Sequence, residues 1–262
     1  MKTIVHQTYR TTGVEPWISR CMESVRAWAA DRGYEYRFFD DSMCDYAGEE
    51  YCRRVGKNML AITDLTRLEM AREALGQGYE RTVWVDADVI VCDPARFIIP
   101  LETGYAFCRE AWVIRSPDDR IRVKMGVNNC VTVFTRDAVD LDFLIQTIRH
   151  IVFTRTMPSN LQIGTWLLSG LSKPLGFRLL THVGLFSPQV VESISSGDPR
   201  MLRAQATAFG HRIAAANLTR SLGSEDACAR ALDVLLDTRG DIVNRHLPPA
   251  RGRAATGNLP LI

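Results

Sequence analysis

Two aspartates separated by one residue, Asp86 and Asp88, stand between the apolar runs Val83-Trp84-Val85 and Val89-Ile90-Val91. A buried strand does not choose carboxylates, so their position calls for a chemical explanation. Residues i and i+2 of an extended chain point to the same side, which lets both carboxylates face one cation. Hard oxygen donors of this kind suit Mg2+ or Mn2+, which use one or two protein carboxylates and complete their shell with phosphate oxygens and water. The implied partner is a diphosphate. An isolated Asp-x-Asp is more often a solvated strand end, and the apolar flanks on both sides weigh against that here.

A second charged pair, Asp64 and Arg67, lies three residues apart in Thr63-Asp64-Leu65-Thr66-Arg67. On a helix this spacing makes them neighbours on one face. By spacing alone they read as a surface ion pair of little energetic weight. Other polar or aromatic residues read more plainly. His182 after Phe177–Thr181 fits a structural hydrogen-bonder, and Trp166 in a helical stretch fits the core. Trp112, Arg115, Asp118, Asp119 and Arg120 read as a polar loop after a strand, where an acceptor could dock, although a solvated loop is the commoner reading.

Elements that would carry these residues follow from periodicity. Lys2 to His6 reads as a short buried strand, and Pro16 is placed to open a helix. From Ile18 the apolar residues Cys21, Met22, Val25, Trp28 and Ala29 recur at helical spacing up to the stop at Gly33. Tyr34 to Phe39 is again a strand. A helix from about Asn58 to Leu75 carries the stripe Ala61, Leu65, Leu68, Ala71 and Leu75, and it feeds the strand that ends at Val85. Tyr105–Cys108 and Cys130–Phe134 read as strands, Val139–Phe153 and Leu161–Leu171 as helices. This alternation predicts an α/β fold with a mainly parallel sheet flanked by helices, in which ligands gather beyond the carboxyl ends of the strands.

The chain has 262 residues, enough for one sizeable core. The reading is a single domain over 1–246, with the aperiodic stretch 247–262 as a flexible tail. A formal net charge of +2 gives no polyanion signal, so no nucleic-acid partner is expected. Seven cysteines without metal-ligand spacing argue against a closed disulfide framework and fit a reducing cytoplasm. No run approaches the ~20 apolar residues of a membrane span, which leaves a cytoplasmic protein with at most peripheral membrane contact.

Several segments in order resemble the glycosyltransferases with a DXD sugar-binding region, the group of yeast-type initiating mannosyltransferases, capsular polysaccharide synthesis enzymes and clostridial glucosylating toxins. The segments are His6-Gln7-Thr8-Tyr9, then Ala61-Ile62-Thr63-Asp64-Leu65-Thr66-Arg67-Leu68, Val85-Asp86-Ala87-Asp88-Val89 and Val127-Asn128-Asn129-Cys130-Val131. Ile163-Gly164-Thr165-Trp166-Leu167-Leu168-Ser169 is a weaker fifth. The resemblance implies a GT-A fold, a UDP- or GDP-linked sugar donor, a divalent metal, and transfer with retention to a glycan, lipid-linked or protein acceptor. It implies that Asp86, with Ala87, contacts the donor ribose and sugar, that Asp88 binds the metal, and that Asp64 and Arg67 hold sugar hydroxyls and the departing diphosphate. His6, Gln7, Thr8 and Tyr9 would line the base pocket, and Asn128 or Asn129 would approach the anomeric carbon. For the C-terminal metal ligand of the family, Asn217 in Ala216–Leu222 and His211 stand as equal alternatives.

Two rival readings remain. Asp86-Ala87-Asp88-Val89 also fits part of the nucleophile motif of haloacid-dehalogenase-type phosphohydrolases, with Asp86 attacking phosphorus, although that motif usually stands near the N-terminus. The other rival is a catalytically silent GT-A domain that binds a nucleotide sugar or serves as a scaffold.

Overall fold

The computed structural model describes residues 1–100, 102–155 and 160–249. Most of the stretch read as a tail, residues 250–262, lies outside the described residues. The chain opens β1 (Thr3–Thr8), α1 (Pro16–Asp31), β2 (Glu35–Phe39), followed by the short helices α2 (Cys44–Ala47) and α3 (Glu49–Val55) and the long α4 (Met59–Gly76). Then come β3 (Arg81–Val85), β4 (Val89–Val91) and a long hairpin, β5 (Tyr105–Arg115) with β6 (Ile121–Thr135). The remainder is α5 (Leu141–Thr154), α6 (Asn160–Ile163), α7 (Thr165–Ser172), β7 (Arg178–Leu180), β8 (Val183–Leu185), α8 (Pro188–Ser196), α9 (Pro199–Phe209), β9 (Ala215–Asn217), α10 (Glu225–Thr238) and α11 (Asp241–Asn244).

The main sheet has the order β2-β1-β3-β6-β5-β7. β1 pairs in parallel with β2 and β3, and β5 with β7, while β6 runs antiparallel to both neighbours. All strands except β6 therefore run one way, and β3 lies in the interior of the sheet. Alternation sorts its side chains: Val83 and Val85 join a core with Val25, Trp28 and Ala29 of α1. On the other face, Phe107 and Phe134 pack with Leu65 and Leu68 of α4 and Leu144 and Ile148 of α5. A second sheet, β4-β9-β8, continues from the chain just beyond β3.

Three expectations need correction. α4 is buried well beyond its predicted stripe, since every residue from Asp64 to Ala71 is buried, Asp64, Thr66, Arg67 and Glu69 included. The helix read over 161–171 is broken at Gly164, whose φ of −107° and ψ of −117° leave the helical region. The polar stretch after Cys108 is a continuing β-ladder, with Trp112 paired to Lys124 and Arg115 to Ile121. Only its tip is a turn, and Arg200 of α9 ties that turn down through Asp119 at 2.7 Å.

Asn58 caps α4 by accepting a hydrogen bond from the Ala61 backbone N–H at 3.2 Å. Replacing Asn58 with Ala should lower unfolding free energy by about 1 kcal/mol, and Asn58→Asp should retain most of it. Urea denaturation of the two variants checks this; equal stability of both with the wild type would show that the cap carries no weight.

Candidate active site

The site begins where β3 ends. Asp86 donates its backbone N–H to the Cys130 carbonyl at 2.8 Å, and the chain then turns, Val89 N–H reaching the Asp86 carbonyl at 3.1 Å. Because residues 87 and 88 form this turn, the extended-chain argument for Asp86 and Asp88 does not hold. The two carboxylates take different partners, although both line the same cleft of about 1090 Å³.

Asp86 turns toward α4. Its Oδ1 accepts from the Trp84 indole N–H at 2.6 Å and lies 3.3 Å from Arg67 Nη1. Arg67 Nη2 lies 3.2 Å from Asp64 Oδ1, which also accepts from Asn129 Nδ2 at 2.8 Å. Arg67 further donates to the Asn129 carbonyl and stands 5.1 Å from the centroid of the Trp84 ring. The pair that spacing made a surface bridge is thus buried, with the arginine side chain 5% exposed. Burial pushes the carboxyls of Asp64 and Asp86 upward, and the Arg67 guanidinium pulls both back down.

Asp88 turns toward the second sheet. Its Oδ1 accepts from Asn217 Nδ2 at 2.7 Å and its Oδ2 from the backbone N–H of Arg220 at 2.9 Å. The antiparallel β4–β9 pairing sets Asn217 opposite Val89, which is what brings it to Asp88. Thr219, at a φ of 53°, turns the chain so that Arg220 presents its amide. Burial first, and then the Asp86 charge, lift Asp88 to about 6.

The other expected residues divide. Thr8, Tyr9, Ala87, Asn128, Asn129 and Asn217 line the cleft with Asp64, Arg67, Asp86 and Asp88. His6 and Gln7 are not among the lining residues. His6 is buried edge-on to Phe39, and burial together with Arg37 lowers it to about 4. Gln7 lies behind the turn, donating to the Asp86 carbonyl at 3.2 Å. His211 follows α9, is exposed, and is also absent from the lining. Of the two alternatives for a C-terminal ligand, Asn217 is therefore the one near Asp88.

A divalent cation fits this donor set. Among the described residues no three His, Cys, Asp or Glu side chains gather into a protein-only metal cage. Asp88 and Asp86 nevertheless match the sparse protein share that Mg2+ or Mn2+ takes beside phosphate and water, while Asn217, its Oδ1 accepting from the Thr219 N–H at 2.8 Å, orients the Asp88 carboxylate. Both oxygens of Asp88 are held by neutral donors, and among the described residues no side-chain cation pairs with it directly.

Several residues escaped the sequence reading. Glu15, buried at the start of α1, binds Arg220 at 2.6 Å, Arg10 at 2.8 Å and the Tyr9 hydroxyl at 2.7 Å. Burial alone would raise Glu15, but the hydrogen bonds from Arg220 and Tyr9 hold it at about 2. Arg10 and Arg220 line the cleft. Glu110, which burial lifts to about 7 against the pull of Lys124, and Trp112 line it from β5. Trp166, read as core, is 50% exposed and lines it too. Arg220 lies inside the quoted segment 216–222, Trp166 inside 163–169 and Arg10 directly after Tyr9, so these had a signal nearby, whereas Glu15 and Glu110 had none.

The architecture matches that of a glycosyltransferase involved in the glycosylation of the major capsid of PBCV-1, at TM-score 0.51 and 11% identity over 89% of this chain and 99% of that one. Mouse xyloside xylosyltransferase 1 in its apo form matches at TM-score 0.45 and 11% identity over 85% of this chain and 99% of that chain. No family model and no curated protein sequence matches the chain. The GT-A fold that the resemblance implied is the fold observed.

Removing Arg67 leaves two carboxylates in a buried cluster, so Arg67→Ala should lose about 3–5 kcal/mol of stability, against the mild loss expected of a surface pair. Chemical denaturation decides between the two. Asp88 gives a pH signature in chelated buffer. Its folded value of about 6 exceeds the unfolded ~3.9, so its contribution to stability is present below the unfolded value and lost as pH rises through about 6. The stability of Asp88→Asn relative to wild type should therefore rise between about pH 4 and pH 7. Parallel urea midpoints at all pH values would refute it.

Proposed function

We propose that the chain is a glycosyltransferase that moves a sugar from a UDP- or GDP-linked donor to a hydroxyl acceptor. The observation that carries this reading is one cleft, at the carboxyl end of β3 in a GT-A fold, holding the Asp64–Arg67–Asp86–Asn129 cluster beside Asp88 and Asn217. Asp86 and Asp64 are acceptors fixed by Arg67, suited to bind ribose and sugar hydroxyls. Thr8, Tyr9 and Ala87 form the neighbouring wall, where the base and ribose would lie. Asn128, held by its Oδ1 accepting the Cys130 N–H at 2.8 Å, keeps its amide N–H groups for the donor sugar.

Mg2+ or Mn2+ would be held by Asp88, with Asp86 and Asn217 beside it, and when bound supplies positive charge that neutralises the diphosphate. Arg67, Arg10 and Arg220 add protein cations to the same wall, which is electrostatic stabilisation of the leaving group. In transfer, the acceptor oxygen bonds to the anomeric carbon and the bond from that carbon to the diphosphate oxygen breaks. In line with the resemblance, attack comes from the face the diphosphate leaves, so configuration is retained and a diphosphate oxygen takes the acceptor proton.

The phosphohydrolase reading is less well supported. It needs Asp86 as a free nucleophile, whereas its Oδ1 is engaged by Trp84 and Arg67. A silent binding domain differs from an enzyme only in turnover.

Nucleoside diphosphate should stabilise the protein chiefly when the divalent ion is present, because diphosphate beside bare carboxylates is repelled. At about a hundred times its Kd, a ligand adds ~2.7 kcal/mol. For a chain of this size, that is a melting shift of several degrees, at roughly 2–4 °C per kcal/mol. UDP and GDP, each with manganese, magnesium or chelator, are to be compared on wild type and Asp88→Asn. A metal-dependent shift for one nucleotide that disappears in the variant supports the reading; equal shifts with chelator remove the metal bridge. Release of sugar from the donor then separates enzyme from silent domain.

A further inference from the structure

The residues assigned to the donor occupy only part of the cleft. Beyond Asn128 the β5–β6 ladder continues along its wall, with Glu110 opposite Gly126 and Trp112 opposite Lys124. Strand alternation puts these four residues on one face, and all of them line the cleft. Among the described residues no hydrogen bond or ion pair reaches the Glu110 carboxylate; the charge acting on it is that of Lys124. Gly126 provides the space it fills, since a Cβ there would stand 3.0 Å from Glu110 Oε2 and 3.1 Å from Ser169 Oγ. A half-buried carboxylate with no protein hydrogen bond, open to the cleft, is free to accept from a bound hydroxyl.

Beside it stands Trp166, half exposed in the first turn of α7, with Lys124 Nζ 5.4 Å from its ring centroid. The break at Gly164 starts a new helix just before this indole, which lines the cleft instead of the core. A half-exposed indole on a cleft wall offers a flat apolar face on which a ring can stack. The wall thus offers an indole face, a second half-buried indole at Trp112 and an unpaired hydrogen-bond acceptor.

We propose that this wall is the acceptor subsite and that the acceptor is a saccharide, whose ring C–H face lies on Trp166 while its hydroxyls donate to Glu110. This rests on the glycosyltransferase reading. A sugar ring has both surfaces the wall needs, an apolar face and a rim of O–H donors.

The test uses the nucleotide sugar that the wild type hydrolyses, with three acceptor arms: methyl hexosides, a serine- and threonine-containing peptide, and polyprenyl phosphate in detergent. The wild type should transfer to at least one methyl hexoside. Glu110→Gln and Trp166→Ala, each shown to be folded by circular dichroism, should raise the KM for that hexoside about tenfold or more, equivalent to ~1.4 kcal/mol of lost binding per tenfold. Transfer to the peptide or the polyprenyl phosphate without any hexoside overturns the proposal, as does an unchanged hexoside KM in both variants. Absence of any nucleotide-dependent melting shift or donor hydrolysis in the wild type refutes the glycosyltransferase reading itself, and this proposal with it.

Discussion

The site depends on one buried guanidinium. Arg67 joins Asp64 on its own helix to Asp86 at the end of β3, reaches the Asn129 carbonyl on β6 and lies over Trp84. Taking these charges out of water is expensive, and their mutual attraction compensates only while the geometry holds. Arg67 therefore fixes the register of α4 against two adjacent strands. The same contacts leave each carboxylate with oxygen lone pairs still to satisfy, because Arg67 shares its donors among four partners, Asp64, Asp86 and the carbonyls of Thr63 and Asn129. A well-packed apolar pair would hold the helix as firmly but could not bind hydroxyls.

Charge balance then limits what the cleft can accept. Around Asp88, three arginines, Arg10, Arg67 and Arg220, face four carboxylates, Glu15, Asp64, Asp86 and Asp88. Glu15 is spent on holding Arg10 and Arg220, so Asp88 is left with neutral donors from Asn217 and the Arg220 amide. Such a wall disfavours a bare diphosphate, and one divalent ion reverses the sign. Anion and cation are accordingly expected to bind together, each weakening when the other is missing.

Local periodicity made the first half of the fold legible. The β1-α1-β2 opening and α4 could be read because their apolar spacing or turn residues are strong. The chemical identity of Asp64, Arg67, Asp86 and Asp88 was readable from type and order, but their geometry was not. The i,i+2 argument assumed an extended chain where residues 87 and 88 turn, and the stripe of α4 concealed that its polar side is buried as well. Long-range partners left even less trace. Nothing local in Glu15 points to Arg220, whose side chain meets it across 205 positions of sequence. Asn217 reaches Asp88 only because β4 and β9 pair. His211, its equal by spacing, lies exposed just past the end of α9, a distinction that only the sheet register makes. Gly164 could have been read as a helix break, and that would have moved Trp166 from core to cleft.

The long hairpin gives the cleft its two halves a common ruler. Asn129 of β6 is bonded to the Asp64–Arg67 cluster, while Gly126 of the same strand lies under Glu110. Strand residues advance about 3.4 Å each, so Asn128 and Gly126, both on the cleft face, are roughly 7 Å apart along the wall. That is of the order of one sugar ring with its bridging oxygen. A donor sugar held at Asn128 and an acceptor ring held at Glu110 would thus be neighbours set by a backbone ladder, with no loop movement needed to bring them together. Placing two substrates along one ladder would convert their encounter into an oriented one. The ladder continues to its tip, which Arg200 anchors to α9 through Asp119, so the wall is held at both ends.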